Sequence, residues 1–141
     1  MRQPFVWPMR VYWEDTDGGG VVYHARYLNF FERARTEWLR ALGMNQSVLA
    51  REHGVVFAVR RMEIDFRQAA RLDDELRVGA QPVHLGAARV IFEQAMHRAA
   101  DGALLAGAKV QVACLAADSF KAVRLPAWIR QKMVENMEQE T

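Results

Sequence analysis

The sequence predicts an α+β protein in which an antiparallel sheet of five strands wraps around one long helix, with a second amphipathic helix at the C-terminus. Three observations predict it. Tyr27, Phe30, Phe31, Ala34, Trp38 and Leu42 recur at the spacing of a single helix face. Strand-like alternation of apolar and polar residues precedes that stripe once and follows it in four separate runs. Asp101-Gly102, between the last two runs, is a hairpin signal. A helix with so many large aromatics needs apolar surface around it, and a curled sheet supplies it.

In chain order, Phe5 to Glu14 reads as the first strand, Met9, Val11 and Trp13 alternating with Arg10, Tyr12 and Glu14. The long helix follows from Tyr23 to Leu42. Arg26, Arg33, Glu37 and Arg40 fall off its apolar stripe, and Gly43 stops it. Ser47 to His53 suits a short helix. Val55 to Arg67 is the second strand, with Val56, Ala58, Met62, Ile64 and Phe66 on one parity. Glu75 to Val83 is the third, where Pro82 marks an edge or an end. Arg89 to Met96 and Leu104 to Leu115 complete the sheet, the latter with Ala108, Val110, Val112 and Cys114 facing one way. Pro126 opens a final helix through Trp128, Ile129, Met133 and Met137. No repeat, linker or low-complexity tract divides the 141 residues, so one domain is expected. A short open sheet around one helix leaves an edge strand and apolar surface uncovered, which predicts at least a dimer.

Bulk properties exclude several classes. An apolar fraction of 51% and a net charge of +2 describe an ordinary globular protein rather than a nucleic-acid binder. The lone Cys114 sits in an apolar run, where a core thiol is expected rather than a nucleophile. No apolar stretch reaches membrane-span length and the N-terminus lacks a signal-peptide core, so the cytoplasm is the expected location. No metal-ligand spacing occurs, and no Gly-x-Ser-x-Gly elbow is present. All but three of the 19 cations are arginine, which would suit a phosphorylated ligand and would equally follow from base composition.

The chemistry concentrates at Glu14-Asp15-Thr16-Asp17-Gly18-Gly19-Gly20-Val21-Val22-Tyr23-His24, between first strand and helix. Glycines let backbone approach a ligand closely, and a helix start offers free N–H groups and a positive dipole end to a developing oxyanion. An acid beside such a site suits acyl-group chemistry. The same residues would also suit a polar turn capping a helix.

Read as Arg10-Val11, then Thr16-Asp17, Gly20-Val21-Val22-Tyr23-His24, this segment resembles the signature of the 4-hydroxybenzoyl-CoA thioesterase family. Trp7-Pro8, Arg10-Val11-Tyr12, the Glu14–His24 block, Phe31–Glu37 and a second block from Val59-Arg60-Arg61-Met62 through Ala70-Arg71-Leu72-Asp73-Asp74 resemble its YbgC-type acyl-CoA thioesterases, encoded with the Tol–Pal envelope system. The resemblance covers most of the chain and fades after about Leu115. It implies the hotdog fold, a homotetramer built as a dimer of dimers, and hydrolysis of short-chain acyl-CoA or acyl-carrier-protein thioesters without a cofactor. It also implies peripheral association with envelope proteins or phospholipid-synthesis enzymes. An alternative is a non-catalytic hotdog scaffold that binds acyl carriers or envelope machinery; aromatic acyl-CoA specificity is a third reading.

By the resemblance, Asp17 matches the catalytic carboxylate, which would activate water or attack the carbonyl directly. Asp15 is expected to be a loop hydrogen-bond acceptor. His24 matches the position whose amide polarises the thioester carbonyl, and its imidazole would carry a proton or orient substrate. Gly20, Val21 and Tyr23 complete the expected substrate contacts. Trp13 departs from the pattern, which has tyrosine there; indole offers only an N–H donor, so Trp13 either donates it in the site or shapes the acyl pocket. Arg60 and Arg61, with Arg67 and Arg71, are candidates for coenzyme A phosphates, against solvated pairs with Glu63, Asp65, Asp73 and Asp74.

Overall fold

A computed structural model describes residues 4–139. Strand β1 (Val6–Arg10) leads through a 3₁₀ turn, Trp13–Asp15, to α1 (Arg26–Ala41) and α2 (Gln46–His53). Five strands follow: β2 (Val55–Phe66), β3 (Glu75–Gly79), β4 (Gln81–Leu85), β5 (Arg89–Arg98) and β6 (Leu104–Ala116). Helix α3 (Ala127–Gln139) ends the described chain. The sheet is antiparallel with order β1-β3-β5-β6-β2, β4 adding to β5. α1 lies on its concave face with Tyr27, Phe30, Phe31, Ala34 and Trp38 buried as the periodicity requires. This is the hotdog arrangement.

Six strands stand where five are expected, because Glu75 to Val83 divides at Ala80. Both pieces keep one register on β5, Val78 opposite Met96 and Gln81 opposite Glu93. The break has a local cause: the Ala80 N–H turns to Phe5 O, and the Gln94 side chain donates to Gly79 O. Pro82 sits in β4, which pairs with β5 alone, and an edge strand is where a residue without an N–H is tolerated.

β1 is shorter than the alternation suggests. Past Arg10 the backbone turns, since the Asp15 carboxylate accepts the Tyr12 N–H at 2.9 Å and closes the Trp13–Asp15 turn. Tyr12 and Trp13 are therefore both exposed rather than on opposite strand faces.

β2 differs more. A bulge between Val59 and Arg61 adds one residue against β6. Phe57 and Val59 face α1 before it, and Met62 and Ile64 pack on the core after it, so the single parity expected for this strand holds only in its second half. Val56 and Ala58 take the opposite side.

One buried polar network was invisible in the pattern. Arg35, on the core side of α1, donates to Gln94 Oε1 at 2.8 Å, and Gln94 in turn donates to Phe31 O and Gly79 O. Burial lowers the Arg35 pKa, partly opposed by Glu32. At the far end of the core the Trp38 indole donates to Asn136 of α3 at 3.1 Å. Cys114 is a buried core thiol whose pKa burial pushes up.

Candidate active site

Between the 3₁₀ turn and α1 the chain folds into a narrow ribbon. Tyr23 N bonds to Asp15 O, Thr16 bridges Val22, and Asp17 N bonds to Val21 O, so Gly18-Gly19-Gly20 form the tip. The tip needs glycine on two grounds. Gly18 and Gly20 both have φ of +88°, and a Cβ on Gly19 would stand 3.1 Å from Asp17 Oδ1. The Asp17 carboxylate is exposed; Oδ1 accepts the Gly19 N–H at 2.7 Å, and among the described residues Oδ2 has no partner. Asp15 is 5% exposed and structural, holding the turn that starts the ribbon.

The other arm ends at the start of α1. The helix begins at Arg26, slightly later than the stripe suggests, with a turn over His24 and Ala25. Arg26 N bonds to Tyr23 O and Tyr27 N to His24 O. Among the described residues no acceptor takes the backbone N–H of His24 or of Ala25, and no side chain caps the helix. The exposed Tyr23 and His24 rings stack at 4.5 Å, tilted by 50°. Trp13 is two-thirds exposed, and its indole N–H has no partner among the described residues.

The ribbon rests on the segment from Gln68 to Asp74. Val22 N bonds to Ala70 O at 2.8 Å, Leu72 N to Gly20 O at 3.0 Å, and Val21 bridges Arg71. The acid, the glycines, Val21 and Tyr23 thus share one ribbon, and His24 follows at its end. Arg71 joins them through its backbone, a contact that reading it as a phosphate ligand did not foresee. Arg60 and Arg61 do not join. Five residues of strand, about 17 Å at 3.3 Å each, separate Arg61 from Phe66, beside which the helix start packs through Tyr27. Both lie on the sheet face away from α1, near Gln111, and Arg61 pairs with Glu63 at 3.3 Å. Arg67 pairs with Asp65 at 2.8 Å.

Among the described residues, no group of three or more His, Cys, Asp and Glu could hold a metal ion. No helix of them is long and apolar enough to cross a membrane. A cavity of about 170 Å³ opens between α1 and the sheet, lined by Arg35, Thr36, Phe57, Val59, Phe92 and Val112 among others.

Residues 11–133 match the model of the thioesterase-like superfamily. The acyl-CoA thioesterase YbgC of Haemophilus influenzae is 46% identical over 126 residues, 89% of this chain and 91% of the relative. This chain belongs to the YbgC branch of the thioesterase-like superfamily. A probable thioesterase from Bartonella henselae superposes with a TM-score of 0.82 at 41% identity, covering 88% of this chain and all of that one. A 1,4-dihydroxy-2-naphthoyl-CoA thioesterase from Synechocystis, 26% identical, superposes with a TM-score of 0.86 over 94% of this chain and 97% of that one.

Proposed function

We propose that the protein hydrolyses acyl-CoA thioesters, short-chain ones first, to a free acid and coenzyme A, with Asp17 and the start of α1 as the reacting centre. The observation that carries it is the pair of unclaimed N–H groups at His24 and Ala25, on the same ribbon as an exposed carboxylate with one free oxygen. The thioester oxygen takes the His24 N–H, which gains strength as the carbonyl becomes an oxyanion. Asp17 Oδ2 either removes a proton from the attacking water or adds to the carbonyl itself, giving an anhydride that water then opens. In both routes the C–S bond breaks as the oxyanion collapses; in the first the departing sulfur takes up the proton that Asp17 removed from water, and in the second it takes one from the His24 imidazole or from water. Nothing beyond water and the thioester is required, so no cofactor belongs to this reading. Gly20 and Val21 wall the approach, and Trp13, at the mouth with Tyr23, shapes the acyl entrance.

The working unit of this reading is a cytoplasmic homotetramer, a dimer of dimers. The free edge of the long β2, with Val59 and Phe66 about half exposed, supports pairing between copies. Arg60 and Arg61, distant from the loop of their own chain, would meet coenzyme A phosphates only from a neighbouring protomer.

The test is thiol release from a panel of short, long and aromatic acyl-CoA esters with acyl-carrier-protein thioesters included. At least one is turned over, and Asp17→Asn lowers kcat by about two to four orders of magnitude with the melting temperature unchanged. Near-normal turnover by Asp17→Asn removes the assignment.

A further inference from the structure

The segment Gln68–Asp74 carries no group of the proposed reaction, yet it touches the ribbon from both ends. Its Ala70 O and Leu72 N hold Val22 and Gly20, and its Asp73 N and Asp74 O bond to Val11 O and Val11 N, ahead of the 3₁₀ turn. The segment cannot hold this shape by itself. Asp73 has φ of +70°, a conformation that costs an L-residue energy unless its surroundings enforce it.

Two side chains enforce it. Arg98, the last residue of β5, is 17% exposed and spreads all three nitrogens of its guanidinium over the segment's environs. Nη2 donates to Ala69 O at 3.1 Å, Nε to Asp74 Oδ2 at 3.1 Å, and Nη1 to Asp101 Oδ2 at 3.0 Å. Asp74 Oδ2 also accepts the Arg71 N–H at 2.9 Å, closing the turn that contains Asp73. From the opposite side Tyr27, in the first turn of α1, accepts the buried Ala70 N–H on its hydroxyl at 3.0 Å. The next residue's environment is thus fixed from the sheet and from the helix at once.

We propose that Arg98 is a positioning residue for the hydrolysis: through Ala69 and Asp74 it sets the segment that holds Gly20 and Val22, and so sets Asp17 against the start of α1. The proposal rests on the hydrolytic reading above. Arg98 does not touch the loop, and its planar fork makes three bonds in three directions that a lysine ammonium at the end of a flexible stem cannot reproduce together. Asp74 and Asp101 both raise the Arg98 pKa, Asp74 more, so the fork stays charged at any working pH.

The experiment compares the parent with Arg98→Met, Arg98→Lys and Tyr27→Phe, each assayed well below its own melting temperature and corrected to the folded fraction. Misplacing reacting groups by about an ångström costs up to about a hundredfold. Arg98→Met should therefore lose about tenfold or more in kcat with KM within about twofold, Arg98→Lys should recover only part, and added guanidinium ion should restore turnover to Arg98→Met. Hydrogen exchange at the Val22 and Leu72 amides should quicken in Arg98→Met while amides of β6 stay as in the parent. Tyr27→Phe, which keeps the ring and drops the hydroxyl, should quicken the same two amides, and Arg98→Lys, read by kcat and by exchange at Val22 and Leu72, carries the test if Arg98→Met fails to fold. A folded Arg98→Met with parental kcat, or unchanged exchange at Val22 and Leu72, overturns the proposal. If the parent releases no thiol from any ester the hydrolytic reading fails instead, and the exchange arm still decides whether Arg98 sets the loop.

Discussion

The two ends of α1 are built on opposite principles. At the C-terminal end the closing amides are claimed: Leu42 N bonds to Trp38 O, Gly43 N to Arg40 O and Met44 N to Leu39 O, and nearby the Trp38 indole bonds to Asn136. Gly43, at φ of +86°, makes the reversal that lets this happen. At the N-terminal end no side chain among the described residues caps the helix, the His24 and Ala25 amides have no acceptor among them, and Tyr23 and His24 face solvent. A helix needs only one sealed end to be held in a core. The open end costs stability that a capping side chain would supply, about 1 kcal/mol, and leaves donors for a ligand.

The sharpest way to break this contrast is at the open end. His24→Pro deletes the N–H and should lower kcat by about a hundredfold to a thousandfold, as loss of an oxyanion donor does. His24→Ala keeps that N–H and should lose much less. Equal losses in the two variants, measured by thiol release across pH, would mean that only the side chain matters. At the sealed end, Trp38→Phe leaves Asn136 Oδ1 buried without its donor. It should cost about 1–3 kcal/mol in denaturant unfolding and leave turnover of the folded enzyme alone. Gly43→Ala meets open space, with only Lys132 Nζ 4.0 Å from the new Cβ, so its cost is conformational. About 1–2 kcal/mol is expected by the same measurement. Smallest is Asp101→Asn. The Ala103 N–H first, and Arg98 second, hold the Asp101 carboxyl below its ordinary range. A depressed carboxylate adds stability above its unfolded pKa and loses it as pH falls through the folded one. The variant should therefore melt lower than the parent at neutral pH, and the difference should shrink below about pH 4.

Much of this contrast was legible in the sequence, because each half has a local cause. The aromatic stripe gave α1 its buried face, Gly43 its stop, and the acid, glycines and histidine marked the open end. What escaped depends on residues far apart in the chain. Arg35 lies between core positions of the stripe, but its burial becomes tolerable only through Gln94, 59 residues on. Arg98 lies two residues past the strand read as Arg89 to Met96, and its bonds to Ala69 and Asp74 arise only once β3 pairs with β5 and brings the 68–74 segment beside it. β1 was over-extended because Val11-Tyr12-Trp13 favour a strand by type, whereas the Asp15 carboxylate claims the Tyr12 N–H. Nothing in Val59-Arg60-Arg61 marks a bulge, so the parity of β2 was carried straight through it.

That one extra residue has a consequence for how copies of the chain can meet. The bulge switches parity in the numbering and thereby keeps Phe57, Val59, Met62 and Ile64 on one side of the sheet, so an edge-to-edge pairing of two β2 strands would have to accommodate the extra residue in each ladder. In such a pairing Arg60 would limit the usable alignments, and its deletion would remove the bulge and return β2 to a single parity.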